Sequence, residues 1–187
     1  MIVDDGKITG TEAFMAKAKT WLSSKYGIAE DKFQQDVFEN CGVRYKRDGS
    51  TVIVSQSHCS NGVEIKPDPP YSDRTEEIKP EDTTKIRSVN GSIAWKAMRT
   101  RPELCFGVSD VASYIAEAQG ISKANKQWKR AQVERDLKFV SLEDRQTMFA
   151  YSDASWANMK GFSSQGGYTI FMAGEKRTGE GRVANLV

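Results

Sequence analysis

The chain has 187 residues, of which 39% are hydrophobic and 28% charged, with a net charge of only +2. That composition excludes a disordered chain and fits one or two small folded domains. It also excludes a molecule-wide field for a polyanion, so any basic footprint must be local. No apolar run approaches the roughly 20 residues that span a bilayer. The start, Met1-Ile2-Val3-Asp4-Asp5, lacks the basic-then-apolar order of a secretory signal. The expectation is an intracellular protein, in cytoplasm or nucleus, with no membrane partner. Cys41, Cys59 and Cys105 are odd in number and widely spaced. They are expected as small buried or partly buried thiols in a reducing compartment. The single His58 has no ligand-like partner at helical spacing and reads as structural.

Along the chain, Asp4-Asp5-Gly6 between Ile2-Val3 and Lys7-Ile8 predicts a tight hairpin. A helix follows, with Thr9 and Glu12 at capping-box spacing. Phe14, Ala18, Trp21 and Leu22 mark one face of it, and Gly27 its stop. Val37 to Lys46 reads as one strand, Asp48-Gly49 as a turn, and Thr51 to Ser55 as a β-branched strand. A short helix is expected over Ser57 to Ile65. Pro67, Pro69, Pro70 and Pro80 sit among charges, which predicts a linker over 67–82. Three helices should follow. The first runs from about Thr83 to Met98. The second starts at Pro102, carries Leu104, Val108, Val111 and Ile115 on one stripe, and ends at Gly120. The third is capped by Ser122 and carries Trp128, Ala131 and Leu137. Such stripes could form a partner surface, but they are expected as ordinary core faces. Thr147 to Tyr151 and Tyr168 to Met172 read as strands, the second entered through Gly166-Gly167.

Three features bear on chemistry. Adjacent carboxylates at Asp4-Asp5 on a hairpin could hold a divalent cation, which prefers oxygen ligands. Alone, they equally suit a solvated acidic turn. Asp153, expected at a strand end, is a second possible ligand and no more specific by itself. Lys123, Lys126, Lys129 and Arg130 lie on successive turns of the third helix. Such a face could contact phosphates or simply be solvated.

The order of the motifs carries a resemblance. Val3-Asp4-Asp5 resembles the end of the reverse-transcriptase Tyr-x-Asp-Asp signature, with Ile2 in place of the Tyr. Phe38-Glu39-Asn40-Cys41-Gly42-Val43-Arg44-Tyr45, Asp48-Gly49 and Ile53-Val54-Ser55-Gln56 resemble the pattern that closes a copia-type polymerase. Ile86-Arg87-Ser88-Val89-Asn90-Gly91-Ser92-Ile93 resembles that family's Tyr-Arg-Ser-x-x-Gly-Ser-Leu helix. Thr100-Arg101-Pro102-Glu103-Leu104 with Phe106-Gly107-Val108-Ser109 resembles its Thr-Arg-Pro block. Tyr151-Ser152-Asp153-Ala154-Ser155-Trp156-Ala157 and Ser163-Ser164-Gln165-Gly166-Gly167-Tyr168 resemble the opening of its RNase H domain.

The resemblance is therefore to a copia-type retrotransposon Pol polyprotein. It implies an α+β chain in four parts: the C-terminal part of a reverse-transcriptase palm over 1–66, a linker over 67–82, a helical thumb and connection region over 83–140, and the start of an incomplete RNase H-like sheet over 141–187. It implies that Asp4 and Asp5 are polymerase metal ligands and Asp153 an RNase H metal ligand, with Mg²⁺ as cofactor. It implies an RNA or DNA template-primer and the rest of the polyprotein as partners, with Lys123, Lys126, Lys129 and Arg130 on the nucleic acid. Both reactions need further acids that are not in this sequence pattern, and two metals cannot be clamped by one carboxylate. The expectation is that these residues alone hold Mg²⁺ weakly and catalyse neither reaction. Primer extension or hybrid cleavage by the purified chain in Mg²⁺ would overturn that. Two other readings stay open: a non-enzymatic nucleic-acid-binding module, and a domesticated structural fragment that binds a protein partner.

Overall fold

The computed structural model describes residues 7–8, 10–56, 64–67, 70–142, 146–157, 160–178 and 181–186. The hairpin expected at Asp4-Asp5-Gly6 lies outside them, as do His58, Cys59 and most of the short helix expected after Ser57. Glu64 and Ile65, the end of that expected helix, are not helical.

Helix α1 spans Glu12–Tyr26. Its cap is Thr11 rather than Thr9, because the Thr11 side chain accepts from the Phe14 N–H at 3.3 Å. Gly27 ends it in the left-handed region, as expected. The apolar face is not covered: Phe14 and Trp21 are about half exposed, and no α1 residue is buried.

The single strand expected over 37–46 is a hairpin, β1 (Val37–Asn40) and β2 (Val43–Asp48). The two residues between them, Cys41 (φ 50°) and Gly42 (φ 70°), are both left-handed, as a tight hairpin turn of this twist demands. That places Cys41 in solvent, and Cys105 is exposed as well, so neither is the covered thiol expected. Strand β3 (Thr51–Ser55) pairs with β2 across a Gly49-Ser50 turn, one residue later than expected. Strand β4 (Leu137–Phe139) pairs with β3, which takes Leu137 out of the third helix. The result is an antiparallel sheet in the order β1-β2-β3-β4.

Between β3 and β4 the described residues form three helices, α2 (Pro80–Arg99), α3 (Cys105–Ser113) and α4 (Ala118–Gln132), with a 3₁₀ turn at Pro102–Leu104. The stripe predicted from Leu104 to Ile115 enters their shared core: Leu104 and Val111 meet Ile86, Val89 and Ile93 of α2 and Ile121 and Ala124 of α4, with Val108 and Ile115 packed against them. Helix α3 stops at Ser113, not at Gly120, and α4 starts before Ser122. Gly120 is a close approach rather than a stop: a Cβ there would lie 2.1 Å from the Tyr114 carbonyl oxygen.

Residues of the stretch expected as a linker also pack on this unit. Ile78 is buried with the helical core, and Tyr71 packs against it. The Tyr71 hydroxyl donates to Asp82 at 3.0 Å and accepts from the Lys79 N–H at 2.8 Å.

The last strands, β5 (Gln146–Ser155), β6 (Gln165–Thr178) and β7 (Gly181–Leu186), form a second antiparallel sheet in that order. Strand β5 runs past the expected Tyr151, so Asp153 pairs with Gly167 inside the ladder rather than at its end. The architecture is mixed α+β.

Helix α4 has no side-chain cap of its own at Glu117. Its first N–H groups go to other segments: Ala118 to the Glu76 carbonyl and Gln119 to the Arg74 carbonyl, both at 2.9 Å. Its last carbonyls accept from buried cations. The Lys96 ammonium reaches Ala131 at 2.9 Å. The Arg101 guanidinium reaches both Val133 and Arg130, and pairs with Glu103. Arg101 is 3% exposed. Replacing it by Met strips the Val133 carbonyl of its partner and leaves the Arg130 carbonyl only the Val133 N–H, so R101M should lower unfolding free energy by roughly 3 kcal/mol in urea titrations. R101K should recover only part, because an ammonium lacks the planar fork that spans the Val133 and Arg130 carbonyls. A loss below about 1 kcal/mol would place Arg101 among ordinary surface pairs.

Candidate functional site

A groove of about 1010 Å³ runs between residues 64–67 and 70–74 on one side and α4 on the other. One wall is fixed by Asn125. Its side-chain amide donates to the Ile65 carbonyl at 2.9 Å and accepts from the Ile65 N–H at 2.8 Å. The amide thus serves both backbone groups of one residue, as a neighbouring strand would, and Ile65 is buried at 4% exposure. The other end of the segment turns on Asp73, whose carboxylate accepts from the Thr75 N–H and hydroxyl.

Helix α4 gives the groove its charge. Its core face buries Ile121, Ala124, Gln127 and Ala131. The remaining turns carry the four predicted cations, and the structure sorts them. Lys126, Lys129 and Arg130 line the groove, together with Arg74. Lys123 does not: both Asp110 oxygens accept from its ammonium, at 2.9 and 2.7 Å, and it sits 4.5 Å from the Tyr114 ring centroid. Lys129 pairs with Glu64 at 3.1 Å, an exposed contact on both sides. Among the described residues, neither Lys126 nor Arg130 has an acidic partner. One turn apart, they present two open cations to whatever enters.

The predicted acids do not join this site. Asp4 and Asp5 lie outside the described residues. Asp153 is exposed on β5, and its Oδ1 accepts from the Ala154 N–H at 2.8 Å. Among the described residues no three His, Cys, Asp or Glu side chains converge. One exposed carboxylate does not make a two-metal site, so the described residues do not by themselves fit a bound Mg²⁺ pair. No described helix is long and apolar enough to cross a membrane.

No family model, curated protein or solved structure matches the chain.

Sequence reasoning found Lys126, Lys129 and Arg130 but missed Arg74, Asn125 and Glu64. The signal for the wall was Ile65 beside Lys66-Pro67, an isolated apolar residue entering a charged, proline-rich stretch. What holds the far side of that stretch is Asp82, 4% exposed. The Lys85 ammonium, 2.8 Å away, is the main cause that holds its carboxyl below the ordinary 3.8; burial opposes this, and the Tyr71 hydroxyl adds to it. A depressed folded-state value stabilises above 3.8, and that contribution is lost as pH falls through the folded value. Stability followed from neutral pH down past 3.8 should therefore fall in wild type. D82N should be weaker at neutral pH and show a flatter acid limb.

Proposed function

We propose that this chain is an internal piece of a copia-type retrotransposon Pol polyprotein, joining the end of a reverse transcriptase to the beginning of an RNase H domain, and that the α4 groove contacts nucleic-acid phosphates. The observation that carries the reading is the order and spacing of the sequence blocks. Their residues also do structural work, which supports it. Ile86, Val89, Asn90 and Ile93 of one block are buried, as are Thr100, Arg101 and Leu104 of the next. Gln56, which closes an earlier block, is 1% exposed and bonded to the Thr100 hydroxyl at 2.9 Å. Blocks far apart in sequence thus meet in the fold. In this reading Asp4 and Asp5 serve the polymerase metals and Asp153 the RNase H metals, completed by acids from elsewhere in the polyprotein.

The second reading is a partner-binding fragment. It draws support from the aromatics that β5, β6 and their connection leave in solvent, Tyr151, Tyr168 and Trp156 at 63%, 80% and 91% exposure.

Binding of a labelled RNA–DNA duplex or single strand, titrated at several salt concentrations, separates the two. The polymerase reading expects log affinity to fall linearly with log salt, through counterion release. Replacing Lys126 and Arg130 by Ala should weaken binding to all sequences alike and reduce the salt slope by about 1 to 2. Binding that is absent or indifferent to salt would favour the partner-binding fragment.

A further inference from the structure

We infer that Glu64 is a built-in competitor for one of the cations that α4 presents to the groove, and that an entering phosphodiester strand must displace it from Lys129. The inference rests on the reading of the groove as a phosphate site.

The geometry has three parts. Lys126 and Arg130 are open and one helical turn, about 6 Å, apart. Lys129 lies on the same stretch of helix but is occupied, its ammonium 3.1 Å from the Glu64 carboxylate. The Glu64 backbone is held near Lys129, because the next residue is pinned: Asn125 holds both backbone groups of Ile65. The carboxylate is therefore kept at high local concentration beside Lys129. It stands where a phosphate bound to Lys129 would stand.

Both partners of the pair are exposed, Lys129 at 69% and Glu64 at 42%. The pair is therefore weak enough to be exchanged. A strand carries one charge per about 3.4 Å of rise. With one phosphate on Lys126 and Arg130, its neighbour reaches Lys129 without a second encounter. Glu64 then turns to solvent. Its like charge opposes the strand until it does. Removing that charge should leave the fold alone and make binding tighter.

The test uses the full chain and a labelled single-stranded oligonucleotide. E64Q should bind about threefold more tightly than wild type. Its salt slope should be steeper by about 0.7, one more cation being free to engage. E64Q combined with K129A should lose the gain, since the benefit passes through Lys129. The outcomes distinguish the two claims. If E64Q binds as wild type while K126A with R130A binds more weakly, the competitor role is wrong and the groove stands. If E64Q combined with K129A keeps the full gain, Glu64 acts by general repulsion and the pairing is not the device. If K126A with R130A binds as wild type, or no variant binds, the groove is not a phosphate site and the inference falls with it.

Discussion

Both ends of α4 are completed by other parts of the chain. A helix leaves its first N–H and last C=O groups without partners. Here Glu76 and Arg74 supply carbonyls to the first, while Lys96 and Arg101 bring charge to the last. The consequence is cooperative. The 70–79 segment cannot leave without orphaning one end of α4, and α2 cannot shift without orphaning the other. Leu104, fully buried beside Arg101 in the chain, anchors the same corner to the core.

This arrangement also decides which charges are left for a ligand. Lysine and arginine in a helix's last turn commonly fold back onto its carbonyls. In α4 the buried Lys96 and Arg101 already occupy that negative end. Lys129 and Arg130, in the last turn, are released to the surface. Arg130 shows the division within one residue: its carbonyl accepts from Arg101 while its side chain lines the groove. The interior cations belong to stability and the outer ones to recognition. A net charge of +2 hides this, because the outer cations are concentrated on one face and several acids are spent on pairs elsewhere.

What could be read from the sequence was what depends on local spacing. The stripe from Leu104 through Val108 and Val111, the β-branched β3 and the stop at Gly27 all follow from periodicity or backbone preference. What could not be read depends on a partner distant in sequence. Gly120 reads as a terminator, and only the passing Tyr114 carbonyl reveals a contact instead. Leu137 continues a helical pattern, yet β3 recruits it as a strand. Cys41 is an unusual residue for a left-handed turn, so the β1–β2 hairpin left no signature beyond Gly42. The prolines and charges of 67–82 hid Tyr71 and Ile78 in what read as a linker. The basic face was legible as a list of residues, but its division into open and occupied cations was not, since Asp110 and Glu64 lie on other segments.

The C-terminal sheet is held by different means. Among its residues whose burial is described, Ala173 is covered, whereas Met148, Tyr151 and Tyr168 stay exposed. Within the sheet, cross-strand contacts such as Tyr151 edge-on to Phe171 supply the packing. Two of its ties to the rest are polar. Asn185 holds both backbone groups of Val140, at 2.9 and 2.8 Å, the same device by which Asn125 holds Ile65. Lys160 pairs with Glu117, a contact that keeps the Glu117 carboxyl below its ordinary range. Such clamps fix direction and register while burying little apolar surface. Glu117 is also the residue from which α4 starts. The second sheet is thus referred to the helix whose ends the rest of the fold completes, and α4 becomes the common frame for the core, the groove and the last strands.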